Sequence, residues 1–529
     1  MRGIIAVLGI ALPLAAQVSW EQIRNAGQTP GNWLTFSGNT LGHRHSGLRQ
    51  LNKANAASIK PLWTYQIDKT DKFETSPIVV NGIMYISEPP SDVTALETQT
   101  GRPLWRYRRV LPDGVRVCCG RVNRGVAALG DKVYVATLDA HLVALDALTG
   151  NVMWDVEAAQ YKSGNSMTVA PLAVKDKIVV GISGGEFGIR GFLDAYDAKT
   201  GKRAWRFWTV PARSEPGTES WAGDSYKYGS GATWVTGTYD PELNLVYWGT
   251  GNPGPDWNGE TRTGDNLYSD SVIALDADTG KLKWYFQFTP HDIHDWDATQ
   301  VPVLVDLPFG GRPRKLMLFA NRNAFYYVLD RATGEYLLGK QYVRQTWAQS
   351  NLDAKGRPTR LPNTEPTEKG TLVYPNSAGA TNYYVPSYSP VTKLLYVNTR
   401  DEGGVFYSRR DEYKEGSWFL AGRFISKPGE EAKGAVKALE PATGNVKWEF
   451  PMYSPSWSGV LTTAGGLVFV GAHEGDFFAL DDTTGKLLWR FPTGGRIFAN
   501  PVSYLSEGKQ QVAIAAGHAV FAFGLEGEK

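Results

Sequence analysis

The sequence is poor in the residues that build covalent or metal frameworks. Only two of its 529 residues are cysteine, Cys118 and Cys119, and they are neighbours. That excludes a disulfide scaffold, a four-thiolate zinc site and the C-x-x-C-H attachment of a covalent haem. Charge of one sign is lacking too. The 55 Lys and Arg stand against 53 Asp and Glu, a net +2, which excludes a broad basic footprint for nucleic acid and an acidic disordered tail. Past the first residues no apolar run is long enough to span a bilayer. Glycine, proline and tryptophan are plentiful at 58, 30 and 18 residues, which supplies the turn formers and aromatic anchors of an all-β chain.

The first sixteen residues stand apart. Arg2 precedes an apolar run over residues 4–14, and Ala15-Ala16 offers small residues before Gln17. This is the pattern of a signal peptide over residues 1–16, with residues 17–529 left as one mature domain. The expected location is periplasmic or secreted, where an oxidising medium lets Cys118 and Cys119 close as a disulfide.

One phrase recurs down the chain: a small apolar pair, an acidic residue, Thr-Gly, and Trp four residues after the Gly. It ends at Trp105, Trp154, Trp205, Trp284, Trp448 and Trp489. A degenerate copy carries Leu338 in the Trp place, and a remote one ends at Trp63. Each copy follows a run in which apolar and small or polar residues alternate, as strands require. Thr-Gly supplies a tight turn with φ > 0 at Gly, and the Trp at constant offset can wedge against a neighbouring unit. Such units cannot bury both faces alone, so they stack, and a ring leaves only short, protected edges. Eight copies predict an eight-bladed β-propeller with tryptophan-docking repeats. The intervals Trp205 to Trp284 and Leu338 to Trp448 are long and predict insertions, with residues 350–378 as a surface excursion.

The chemistry lies between the repeats. Consecutive Cα atoms stand about 3.8 Å apart, below the usual disulfide span of about 4.4–6.8 Å. A bond between Cys118 and Cys119 therefore closes a small, rigid ring, apolar on one side; two reduced, buried thiols are the other reading. Glu186, Asn252 and Asp295 sit in loops where the repeat does not demand them, although an ion pair of Glu186 with Arg190 is the bland alternative. His291 and His294, in HDIHDWD, read as polar groups of a solvated turn rather than a zinc pair.

In these motifs the chain resembles the pyrroloquinoline quinone (PQQ) dependent alcohol dehydrogenases, with methanol dehydrogenase large subunits as relatives. The resemblance runs from about Trp33, in WLTFSGNTLGHRHS, to the last repeat. It implies that the Cys118-Cys119 ring lies on one face of the quinone and Trp234, in GATWVTG, on the other. Glu74, Arg124, Thr168, Ser183, Gly184, Gly185, Arg322, Asn398 and Trp457 match further cofactor contacts. Glu186, Asn252 and Asp295 match ligands of one Ca²⁺ or lanthanide ion, and Asp295 also matches the catalytic aspartate. Asp297 stands where calcium users resemble one another in a small residue and lanthanide users carry aspartate. All are hard oxygen donors.

Two positions depart from the family pattern. Ala232 replaces a frequent Thr, with Thr233 one step on, and Asn398 and Arg400 compete for one asparagine role. The resemblance implies oxidation of a primary alcohol; without a haem-attachment motif the expected electron acceptor is a separate cytochrome c, and the oligomeric state is left open, a homodimer among the options. The alternatives are a sugar or polyol dehydrogenase of the same cofactor class and a non-enzymatic periplasmic propeller scaffold.

Overall fold

The computed structural model describes residues 17–69 and 71–526. The expected signal peptide lies outside the described residues. Among the described residues there are seven antiparallel sheets of four strands, one of five and one of three, and no helix is long and apolar enough to cross a membrane. Most four-stranded sheets are simple meanders such as Ile78–Val80, Ile83–Glu88, Asp92–Glu97 and Pro103–Tyr107. The chain's two ends meet in one sheet, where Lys60–Gln66 pairs antiparallel with Ala519–Gly524. The fifth strand of the largest sheet, His45–Ser46, pairs parallel with Val460–Thr463.

The recurring phrase explains how each unit turns. Asp146 Oδ1 accepts from the backbone N–H groups of Leu148 and Thr149 at 3.0 and 2.8 Å and from the Thr149 hydroxyl at 2.8 Å. The acidic residue thus anchors the turn that Gly150 completes at φ 73°. A Cβ on Gly150 would stand 2.5 Å from the Trp105 ring, so the glycine serves both the left-handed backbone and the indole lying on it. That indole donates Nε1–H to the Ala147 carbonyl at 3.0 Å, which also accepts from Tyr85 Oη at 3.1 Å. The pair of donors recurs on Ala198 from Trp154 and Tyr134, on Arg331 from Trp284 and Tyr247, and on Asp482 from Trp448 and Tyr396. Where Leu338 replaces the indole, Tyr326 Oη alone donates to Pro441 O, at 3.0 Å. Around the junction of chain ends, Trp489 Nε1 donates to Ile59 O at 2.9 Å and Trp63 Nε1 to Thr98 O at 2.8 Å.

The two long intervals hold the irregular elements. The three-stranded sheet, Thr371–Val373 with Gly404–Ser408 and Gly422–Ser426, falls in the second of them. Residues 350–378 are not wholly a surface excursion: Thr364, Asn376 and Ser377 are buried, because the segment's end turns inward to the loops described next.

Candidate cofactor and metal site

Cys118 and Cys119 are joined as a disulfide. Lys72 Nζ donates to the Cys119 carbonyl at 3.0 Å, and both sulfurs lie within 4.8 Å of a Glu186 carboxylate oxygen. Cystine sulfur is no thiolate, so this closeness makes no soft-metal site. It places the ring beside Glu186. Glu74, Arg124, Thr168 and Ser183 form a chain of polar contacts. Glu74 pairs with Arg124 Nη2 at 2.8 Å. Arg124 Nη1 donates to Thr168 Oγ1 at 2.6 Å, and Thr168 shares a 2.9 Å hydrogen bond with Ser183. Burial pushes the Glu74 carboxyl up from its ordinary range, opposed by Arg124 and Lys72. Gly184, at φ 117°, precedes the single 3₁₀ turn Gly185–Phe187 that presents Glu186; a Cβ there would strike Gly164 O at 2.1 Å.

Aromatic faces form the next layer. The Arg124 guanidinium lies over Trp234 at 4.7 Å and over Tyr383 at 4.8 Å. Tyr383 stacks on Trp457 at 5.9 Å, and Arg400 covers Trp457 at 4.4 Å. Tyr383 was not among the sequence candidates, since TNYYVP carries no signal beyond its aromatics. Asn398 donates Nδ2–H to Ser458 O at 2.8 Å, whereas buried Arg400 keeps Nε and Nη1 without partners. Thr233 is structural: its hydroxyl donates to Phe192 O at 2.6 Å and accepts from Ile182 N at 2.8 Å.

The carboxylates adjoin these rings where Asp297 meets Trp234. Asp297 Oδ2 accepts from Trp234 Nε1 at 3.1 Å and from Arg322 Nη1 at 2.6 Å, while its Oδ1 accepts from Asn252 N at 2.7 Å. Gly251 permits that approach, for a Cβ would stand 2.5 Å from Asp297 Oδ1. A carboxylate offers about four lone-pair positions, so three donors leave one free. Asp295 sits at φ 63°, a conformation costing a non-glycine residue roughly 1–2 kcal/mol and concentrated at functional sites. Its Oδ2 accepts from Ser377 Oγ at 2.6 Å and lies 3.5 Å from Arg322 Nη2. Burial, Asp297 and Glu186 hold the Asp295 carboxyl well above the usual range against the pull of Arg322. Glu186 is pushed up to about 7, mainly by burial and further by Asp297.

One residue that the sequence reading passed over joins this group. Asp256 is buried and accepts from Asn252 Nδ2 at 3.0 Å. Burial and the charges of Asp295 and Glu186 raise its carboxyl well above the usual range. The signal was an acidic residue four places after Asn252 in GNPGPDW. Glu186, Asp295, Asp297 and the Asn252 amide oxygen are hard oxygen donors of the kind that Ca²⁺ or a lanthanide takes, with Arg322 against two of the carboxylates and Asp256 behind Asn252. The unpartnered Nε and Nη1 of Arg400, above the Trp457 ring, suit a planar anion.

Arg190 pairs with Glu215 at 3.0 Å, not with Glu186. His294 is not solvated: it is fully buried, stacks on Trp296 at 4.3 Å and shares a 2.8 Å hydrogen bond between Nε2 and Thr364 O. The expectation of a solvated turn fails there because Trp296 and Phe406 enclose the ring.

The family described as glucose/ethanol/alcohol dehydrogenase, β-propeller domain, matches residues 33–343, and that of the outer membrane protein assembly factor BamB matches residues 432–523. The chain is 37% identical to the quinoprotein alcohol dehydrogenase PedH of Pseudomonas putida, over 97% of this chain and 91% of the relative. It is 35% identical to the lanthanide-dependent methanol dehydrogenase of Methylacidiphilum fumariolicum, over 97% of this chain and 89% of the relative. Its fold superposes on that of a europium-containing methanol dehydrogenase with a TM-score of 0.91 at 32% identity, covering 96% of this chain and all of the other. With an all-β propeller fold and these relatives, the chain belongs to the family of PQQ-dependent alcohol dehydrogenases.

Proposed function

We propose that the chain oxidises a primary alcohol to its aldehyde in the periplasm. What supports this reading is that Glu186 lies beside the cystine ring, while Asp297 is bound by Trp234 and Asn252 and shares Arg322 with Asp295. A non-enzymatic scaffold has no need of such a cluster. In this reading the cystine ring and Trp234 flank PQQ, and Gly184 and Gly185 let backbone N–H groups approach it. Glu74, Arg124, Thr168, Ser183, Arg322, Asn398 and Trp457 surround its edge. Glu186, Asn252, Asp295 and Asp297 hold the cation. We further infer that the eight larger sheets are blades of one ring over residues 17–529 and that the indoles dock each blade to the next.

When bound, the quinone supplies a two-electron acceptor and the cation a Lewis acid. The chain's own part is to move a proton. Ser377 occupies Asp295 Oδ2, which leaves Oδ1 to take the hydroxyl proton as hydride leaves the alcohol carbon. Arg322 balances the charge of the Asp295–Asp297 pair. A separate cytochrome c would be the electron acceptor. The similarity to lanthanide- and europium-bearing relatives, together with Asp297, favours a lanthanide.

The test is reconstitution of the purified chain with PQQ and either Ca²⁺ or La³⁺, followed by dye reduction with a panel of primary alcohols, sugars and polyols. Absence of turnover with both metals refutes the enzyme reading. Turnover confined to sugars or polyols refutes the substrate class. Asp297→Ala should depress La³⁺-supported more than Ca²⁺-supported turnover, and equal losses would refute the lanthanide preference.

A further inference from the structure

We infer that Asp256 positions Asn252 at the cation site, an assignment that rests on the metal reading above. Asn252 and Asp256 are 8% and 3% exposed. The Asn252 Nδ2 group donates to Asp256 Oδ1 at 3.0 Å and to Pro253 O at 3.4 Å. With Asp256 ionised, both partners only accept, so they fix which end of the amide faces them. A flipped amide would set its carbonyl oxygen against a carboxylate and a peptide carbonyl. The free Oδ1 is therefore held away from Asp256. Meanwhile the backbone of the same residue is tied on both sides, its N–H to Asp297 Oδ1 at 2.7 Å and its carbonyl to Gly231 N at 3.0 Å.

A simple loop cap would accept backbone N–H groups; among the described residues the one hydrogen bond to the Asp256 carboxylate comes from this side-chain amide. The loop that carries Asp256 is itself clamped. Arg262 donates to Pro255 O at 2.8 Å and to Asp292 O at 2.6 Å, and Trp257 N donates to Leu420 O at 3.1 Å. Asp256 is thus built as a rigid outer partner that turns the Asn252 carbonyl oxygen to the ion, the role that outer hydrogen-bond partners play for metal ligands.

Tryptophan-sensitised Tb³⁺ luminescence on the full chain, freed of metal with a chelator, measures this without catalysis. Asp256→Ala should weaken Tb³⁺ binding about 10–100-fold. Asp256→Asn, whose carbonyl oxygen still accepts from Asn252, should bind Tb³⁺ nearly as the wild type does. If Asp256→Ala does not fold, as judged by thermal melting, Asp256→Leu takes its place, being close in volume and unable to accept. Unchanged affinity in the Ala or Leu variant overturns the assignment. An Asn variant as weak as the Ala variant overturns it as well, because charge rather than orientation would then matter. A wild-type chain that binds no Tb³⁺ refutes the metal reading, and this assignment with it.

Discussion

The repeat turns and the loops between them treat buried polar groups in opposite ways. In the turns nearly every donor has a partner: Asp146 collects three, and one carbonyl accepts both an indole N–H and a tyrosine hydroxyl. In the loops, the Tyr384 hydroxyl and both Asp270 oxygens have none, as have Nε and Nη1 of Arg400 near the end of its strand, and carboxylates lie near one another. The turns serve stability, whereas the loops hold groups whose cost is met elsewhere in the fold, as expected where a ligand is to be bound.

The comparison breaks most sharply at Asp295. Asp295→Asn keeps the shape but removes the base, and should lower kcat by about 10³-fold while the melting temperature holds; a loss of both together would mean that Asp295 serves the fold. Trp448→Ala should do the reverse. Removing this buried indole and its bond to Asp482 O should cost about 3 kcal/mol or more in urea unfolding, with turnover per folded molecule unchanged.

His294 tests the loops by pH. Burial holds its pKa near 3, far below the value of about 6.5 in an unfolded chain. Its depressed value favours the fold fully above about pH 6.5, and this contribution falls away as the pH drops towards 3 and the unfolded chain takes up a proton. The stability difference between wild type and His294→Phe should therefore shrink between pH 8 and pH 5. A constant difference would show that the ring contributes by packing alone. The smallest effect belongs to Tyr326→Phe, which leaves Pro441 O without its donor at the junction that lacks an indole and should cost about 1 kcal/mol.

Local and repeated features were legible in the sequence. The acidic residue, Thr-Gly and Trp mark each turn because their contacts span a few residues or recur at one offset, and neighbouring Cys118 and Cys119 needed no fold to bring them together. The motifs around Glu186, Asn252 and Asp295 were legible through resemblance. Other features depend on distant segments. Ser377 reaches Asp295 across 82 residues, Tyr383 meets Arg124 and Trp457, and His294 is sealed by Trp296 and Phe406.

By itself the sequence determined the turn chemistry, the period of the sheets and the hard-oxygen character of the loops, because each follows from residue type and short spacing. Only the tertiary structure decided which carboxylates share one space, that Asp256 is among them, and which end of the Asn252 amide is free. Those are matters of direction and distance between separate loops, which no spacing along a chain specifies.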